Sequence, residues 1–182
     1  MPTRRRALAF LVLAWFVAPR TLAAETGSDP KEVFVVCPKA FETALKPWVD
    51  YRTRQGYSIR LLANQGTGEQ IRSKIQQAAA QRTPAAILLV GDAAPPSVTG
   101  AAALAKTVPG FRVAATVEIP VKRASHIGTD NPYADLDGDR VPDVPLGRLP
   151  VKTEAELRAV IRKIIAYESA PLGAWQRDIN LV

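Results

Sequence analysis

Apolar residues fall along this chain in two ways, as short unbroken runs and as helically spaced stripes. Val33-Phe34-Val35-Val36-Cys37 is a short β-branched apolar run, Tyr57 to Ala63 reads as a second strand, and Ala85-Ala86-Ile87-Leu88-Leu89-Val90 is a third run, continuous and apolar. Short apolar runs of this kind predict strands buried on both faces of a sheet. Between the first two, Phe41, Leu45, Trp48 and Val49 stand at helical spacing within Lys39 to Arg54. Pro47 predicts that this helix is kinked there or built in two pieces. Gly56 predicts its end. Between the second and third runs, Thr67 and Gln70 form a capping-box pair, and Ile71 and Ile75 share one face of the helix it opens.

A strand-helix-strand-helix-strand alternation predicts an α/β fold with a mostly parallel sheet flanked by helices. Residues 93–110 are rich in Ala, Pro and Gly and read as a loop, and Arg112 to Val121 as an extended segment. Val144 to Leu149 predicts a further short strand. Thr153 and Glu156 then open a helix whose apolar stripe is Leu157, Val160, Ile161, Ile164 and Ile165. Arg158, Arg162 and Lys163 take its other side. Ile179 to Val182 reads as the start of another strand, and there the chain stops. A strand entering a parallel sheet is normally followed by a crossover and further strands. The expectation is therefore a domain cut short, with an open sheet edge.

The first residues have a separate logic. Arg4, Arg5 and Arg6 precede an apolar run from Ala7 to Ala18, and small residues come after it at Ala23 and Ala24. The run is shorter than the roughly 20 residues that a membrane-spanning helix needs. Its layout predicts a secretory signal peptide over 1–24, a linker over 25–31 and one domain over 32–182, and hence a secreted, periplasmic or cell-surface protein with no stable membrane span. The segment 1–24 holds four arginines and no acid, so removing it lowers the formal charge from +7 to +3. Basicity is thus largely a property of the leader. The rest shows no basic stripe with interleaved aromatics, which argues against nucleic acid as a partner. A single cysteine excludes an internal disulfide framework.

The densest charge lies in Thr129-Asp130-Asn131-Pro132-Tyr133-Ala134-Asp135-Leu136-Asp137-Gly138-Asp139-Arg140-Val141-Pro142-Asp143. Asp135, Asp137, Asp139 and Asp143 match loop positions 1, 3, 5 and 9 of a calcium site, and Val141 at position 7 would offer its carbonyl. Calcium takes six to eight oxygens, and alternate side chains of a turning loop converge on one point. Arg140 stands where an EF-hand has glycine, and Leu146 where it has the bidentate glutamate, so the stretch is not an EF-hand. Two readings stay open: a short calcium loop, or a solvated acidic turn in which Asp and Gly serve as turn residues.

Cys37 and His126 are the only thiol and the only imidazole. A Cys–His pair is a nucleophile–base arrangement. Cys37, however, closes a buried run, where cysteine behaves as a small hydrophobe. Asp92, just past the third strand, lies where parallel sheets bind ligands, or serves as a turn residue. Gly66-Thr67-Gly68 lacks the lysine of a phosphate loop and predicts a helix start only.

Several segments together resemble the gingipain-type cysteine peptidase family. They are Pro38-Lys39-Ala40-Phe41, Leu45-Lys46-Pro47-Trp48, Arg54-Gln55-Gly56-Tyr57, Ile87 to Asp92, Thr129 to Asp139, Gly147-Arg148-Leu149-Pro150-Val151 and Lys163 to Glu168. The resemblance implies a three-layer, caspase-like fold and a secreted endopeptidase that cleaves proteins or peptides with a Cys–His dyad. In that family the histidine lies in a Gly-His-Gly stretch and the nucleophile beyond it, both after the strand at which this chain stops. Neither motif is present, so no catalytic residue carries over. The resemblance implies the N-terminal scaffold part of the catalytic domain, inactive alone. The alternative is a secreted, non-enzymatic calcium-binding or interaction module on the same scaffold.

Overall fold

A computed structural model describes residues 31–95, 100–114, 126–171 and 173. The leader over 1–24 and the expected strand over Ile179 to Val182 lie outside the described residues. The order begins β1 (Lys31–Cys37), a 3-10 turn at Lys39–Phe41, α1 (Glu42–Arg54), β2 (Tyr57–Ala63), α2 (Gly68–Ala79) and β3 (Ala86–Val90). It continues with β4 (Asp92–Ala94), α3 (Ala101–Leu104), β5 (Thr107–Pro109), β6 (Phe111–Ala114) and β7 (His126–Thr129). A 3-10 turn at Asn131–Tyr133, β8 (Leu146–Leu149) and α4 (Glu154–Ser169) complete it.

The central sheet runs β2-β1-β3-β8, and every pairing in it is parallel. Strand periodicity divides its apolar residues between two layers. Val33, Val35 and Cys37 of β1 join Phe41, Ala44, Leu45 and Trp48 near α1, and Leu157 and Ile161 of α4. Phe34 and Val36 point the other way and pack with Ile71, Ile75 and Ala78 of α2, Ile87 and Leu89 of β3, and Tyr133. Burial on both faces is why β1 reads as an unbroken apolar run. This is the expected three-layer α/β arrangement, consistent with a caspase-like fold.

Local chemistry fixes the helix ends. Gln70 N–H donates to Thr67 Oγ1 and Thr67 N–H to Gln70 Oε1, closing the capping box of α2. At α4 the box is offset: Glu156 N–H donates to Thr153 Oγ1, but Glu156 Oε2 accepts from Lys152 N–H. Arg52 makes a two-bonded pair with Glu168, at 2.8 and 2.7 Å, that ties α1 to α4.

Two expectations need correction. The break in the first helix falls at Phe41 and Glu42, where a 3-10 turn gives way to α1, and Pro47 lies inside α1 on its exposed side. Residues 93–110 are not simply a loop: β4 pairs in parallel with β5, and α3 lies between them. Small residues build tight structure here because the backbones approach closely. Gly91 has φ +114, and a Cβ there would stand 2.7 Å from the Lys106 carbonyl oxygen. The extended segment expected from Arg112 begins at Phe111 as β6 and pairs antiparallel with β7. Its residues 115–121 lie outside the described residues.

Candidate functional site

The two conspicuous candidates occupy different layers. Cys37 ends β1 on the α1/α4 side, is 2% exposed, and gives its thiol hydrogen to the Pro38 carbonyl. Burial, with a smaller push from the Glu42 carboxylate, raises its pKa to about 12. A thiol so placed is not a nucleophile at neutral pH. His126 is exposed on β7, opposite Ala114 of β6. The β6–β7 ribbon sits on the α2 side, where Phe111 packs edge-on to Tyr133 and adjoins Gly68. The sheet therefore separates the two groups, and the structure forms no Cys37–His126 dyad.

Asp92 is the first residue of β4 and pairs with Thr107 of β5. Its Oδ1 accepts from Ala93 N–H at 2.9 Å, and Lys152 Nζ lies 3.5 Å from its Oδ2.

In the Asp-rich loop, Asp135, Asp137 and Asp143 each bring a carboxylate oxygen within 4.8 Å of the others. Asp139 is outside that group: its Oδ1 accepts from Val141 N–H at 2.7 Å, and Val141 is 60% exposed. Asp135 is the buried member, 3% exposed. Its Oδ1 accepts from Gly138 N–H at 2.7 Å, and its Oδ2 from Arg140 N–H at 3.2 Å and from Arg72 at 2.7 Å. Asp137 Oδ1 accepts from Asp139 N–H, and Asp143 Oδ2 from Leu136 N–H. Two positions turn left-handed, Gly138 at φ 93 and Arg140 at φ 76. Arg140 thus adopts the backbone conformation for which an EF-hand uses glycine, at a steric cost of about 1 kcal/mol. Three converging carboxylate oxygens are the donor set a hard divalent cation takes, with water completing the shell.

Two cations that sequence reasoning missed organise these loops. Arg72 and Gln76, one turn apart on α2, reach down together: Arg72 to the Asp135 carboxylate, Gln76 to the Asp135 carbonyl at 3.2 Å. Arg148 of β8 forks onto Asp130, with Nε to Oδ2 and Nη2 to Oδ1 both at 2.7 Å. Its Nη1 donates to the carbonyls of Gly91 at 3.0 Å and Val108 at 3.2 Å. Asp130 and Arg148 border a cavity of about 590 Å³ lined also by Ala93, Gly110, Phe111 and Gly128. The one available signal was the need of a buried aspartate for a partner.

Burial of Cys37 has a consequence for stability. A folded pKa above the unfolded one gives stability that is complete below the unfolded value and is lost as pH rises toward the folded one. Between pH 9 and about 12 the thiol ionises only in the unfolded chain. Wild type should therefore lose about 1.4 kcal/mol per pH unit more than Cys37→Ala in that window. Urea unfolding at pH 8 and pH 10.5 measures the difference, and parallel losses in the two proteins would refute it.

The sequence pattern of Peptidase family C25 matches residues 26–182. No curated protein matches the chain. A solved structure described as that of a protease matches 78% of this chain at 23% identity with a TM-score of 0.58. At that identity the likeness shows the fold alone. The match takes in 29% of the protease's own chain, so this chain spans less than a third of its length. The motifs from Pro38 to Glu168 all fall within the matched residues, and the chain belongs to Peptidase family C25, the gingipain family.

Proposed function

We propose that this chain supplies the N-terminal scaffold part of an exported, gingipain-like cysteine endopeptidase domain and has no peptidase activity by itself. The observation that carries the reading is Cys37: in a chain of a cysteine peptidase family, the sole thiol is buried, protonated and walled off by the sheet from the sole imidazole. The Arg-led leader over 1–24 directs export. Among the described residues, no helix is long and apolar enough to cross a membrane. Proteins or peptides are the substrates of the completed domain. Fluorogenic peptides should be hydrolysed no faster with this chain than with buffer, and hydrolysis that disappears in Cys37→Ala would overturn the reading.

The three-carboxylate loop supports calcium as a stabilising ligand, held by Asp135, Asp137 and Asp143. The same loop is what favours the second reading, a non-enzymatic calcium-binding or interaction module on the same scaffold. Millimolar calcium should raise Tm by a few degrees, and Asp137→Ala should remove the rise while the protein still folds. An unchanged wild-type Tm would eliminate calcium as a ligand.

A further inference from the structure

Asp135 carries a charge into a site with almost no solvent, and such a charge needs a partner. The partner already present is Arg72. Its Nη2 lies 2.7 Å from Asp135 Oδ2, and the side chains are 21% and 5% exposed. Arg72 commits itself to this contact at a cost: its Nε is buried and has no hydrogen-bond partner. Together with the Arg140 and Gly138 amides, the guanidinium leaves Asp135 Oδ2 with two donors and Oδ1 with one. A carboxylate accommodates about four donors, so a metal at Asp135 has only one oxygen with room to spare. The positive charge of Arg72 also opposes any cation brought within a few ångströms.

We propose that Arg72 is the loop's own counter-cation: it neutralises Asp135 from α2, lets the turn fold with no divalent ion, and holds calcium affinity down. This rests on the reading that calcium occupies the loop. Because Arg72 belongs to a helix packed against the sheet, the loop is docked on the scaffold whether or not metal is bound.

The test uses the full chain, with calcium itself as the probe. Wild type, Arg72→Met and Arg72→Met/Asp135→Asn are melted in EGTA and in 5 mM calcium, and calcium binding is titrated by calorimetry. In EGTA, Arg72→Met should melt several degrees below wild type. Calcium should raise its Tm by more than it raises that of wild type, and its Kd should fall about tenfold. The double variant, in which a neutral pair replaces the ionic one, should regain most of the lost Tm in EGTA. If wild type responds to calcium and Arg72→Met responds no more strongly, the counter-cation role is wrong and the calcium reading survives. If neither binds calcium, the calcium reading falls and this inference falls with it. Should Arg72→Met fold only with calcium, the proposal is upheld. Should it fold in neither condition, a double variant that also remains unfolded would overturn it.

Discussion

The carboxyl end of the sheet is organised by one guanidinium. Arg148 leaves β8 and meets the Asp130 carboxylate with two bonds of 2.7 Å, while its remaining nitrogen reaches the carbonyls of Gly91, just after β3, and Val108, in β5. Three other segments thus close on one side chain that is 11% exposed. The planar fork of arginine is what makes this possible, since lysine cannot bond a carboxylate bidentately and reach backbone carbonyls as well. Fixing Asp130 also fixes the turn beyond it. That turn, Asn131–Tyr133, places Tyr133 in the α2-side core, where its hydroxyl donates to the Pro109 carbonyl at 2.6 Å. Burial pushes the Tyr133 phenol above its usual range, which keeps that donor protonated.

From Tyr133 the chain enters the acidic loop, where the same arrangement recurs on a smaller scale. Arg72 does for Asp135 what Arg148 does for Asp130, tying an aspartate of an irregular segment to a regular element. Charge that looks like chemistry in one dimension thus largely serves to hold loops on a sheet. The segments that relate the chain to its family, Thr129 to Asp139 and Gly147 to Val151, contain both aspartates and Arg148. Both arginine–aspartate pairs tie irregular segments to the scaffold.

The regular elements were legible because each had a local cause. β1 from Val33 to Cys37 and β3 are unbroken apolar runs, α2 has its reciprocal Thr67–Gln70 cap, and α4 its stripe through Leu157 and Ile161. The α1 boundary misled because a proline after the first turn stayed in the helix on its exposed side. The region around β4, α3 and β5 gave no apolar period, since its buried positions Ala94, Leu104 and Val108 stand isolated among small residues. In the acidic loop, the convergence of Asp135, Asp137 and Asp143 could be read from their alternation. That Asp139 instead accepts from the Val141 amide could not, because the alternation gives it the same place as its neighbours. Arg72 and Arg148 were invisible as partners because their aspartates lie 63 and 18 residues away in the chain.

The central claim is that the paired arginines and aspartates of these segments hold the scaffold together, and Arg148 tests it most directly. Urea unfolding of Arg148→Met should show a loss of about 3 kcal/mol, as Asp130 and two carbonyls lose their shared donor at a mostly buried site. A loss below about 0.5 kcal/mol, the range of an ordinary surface substitution, would contradict that claim.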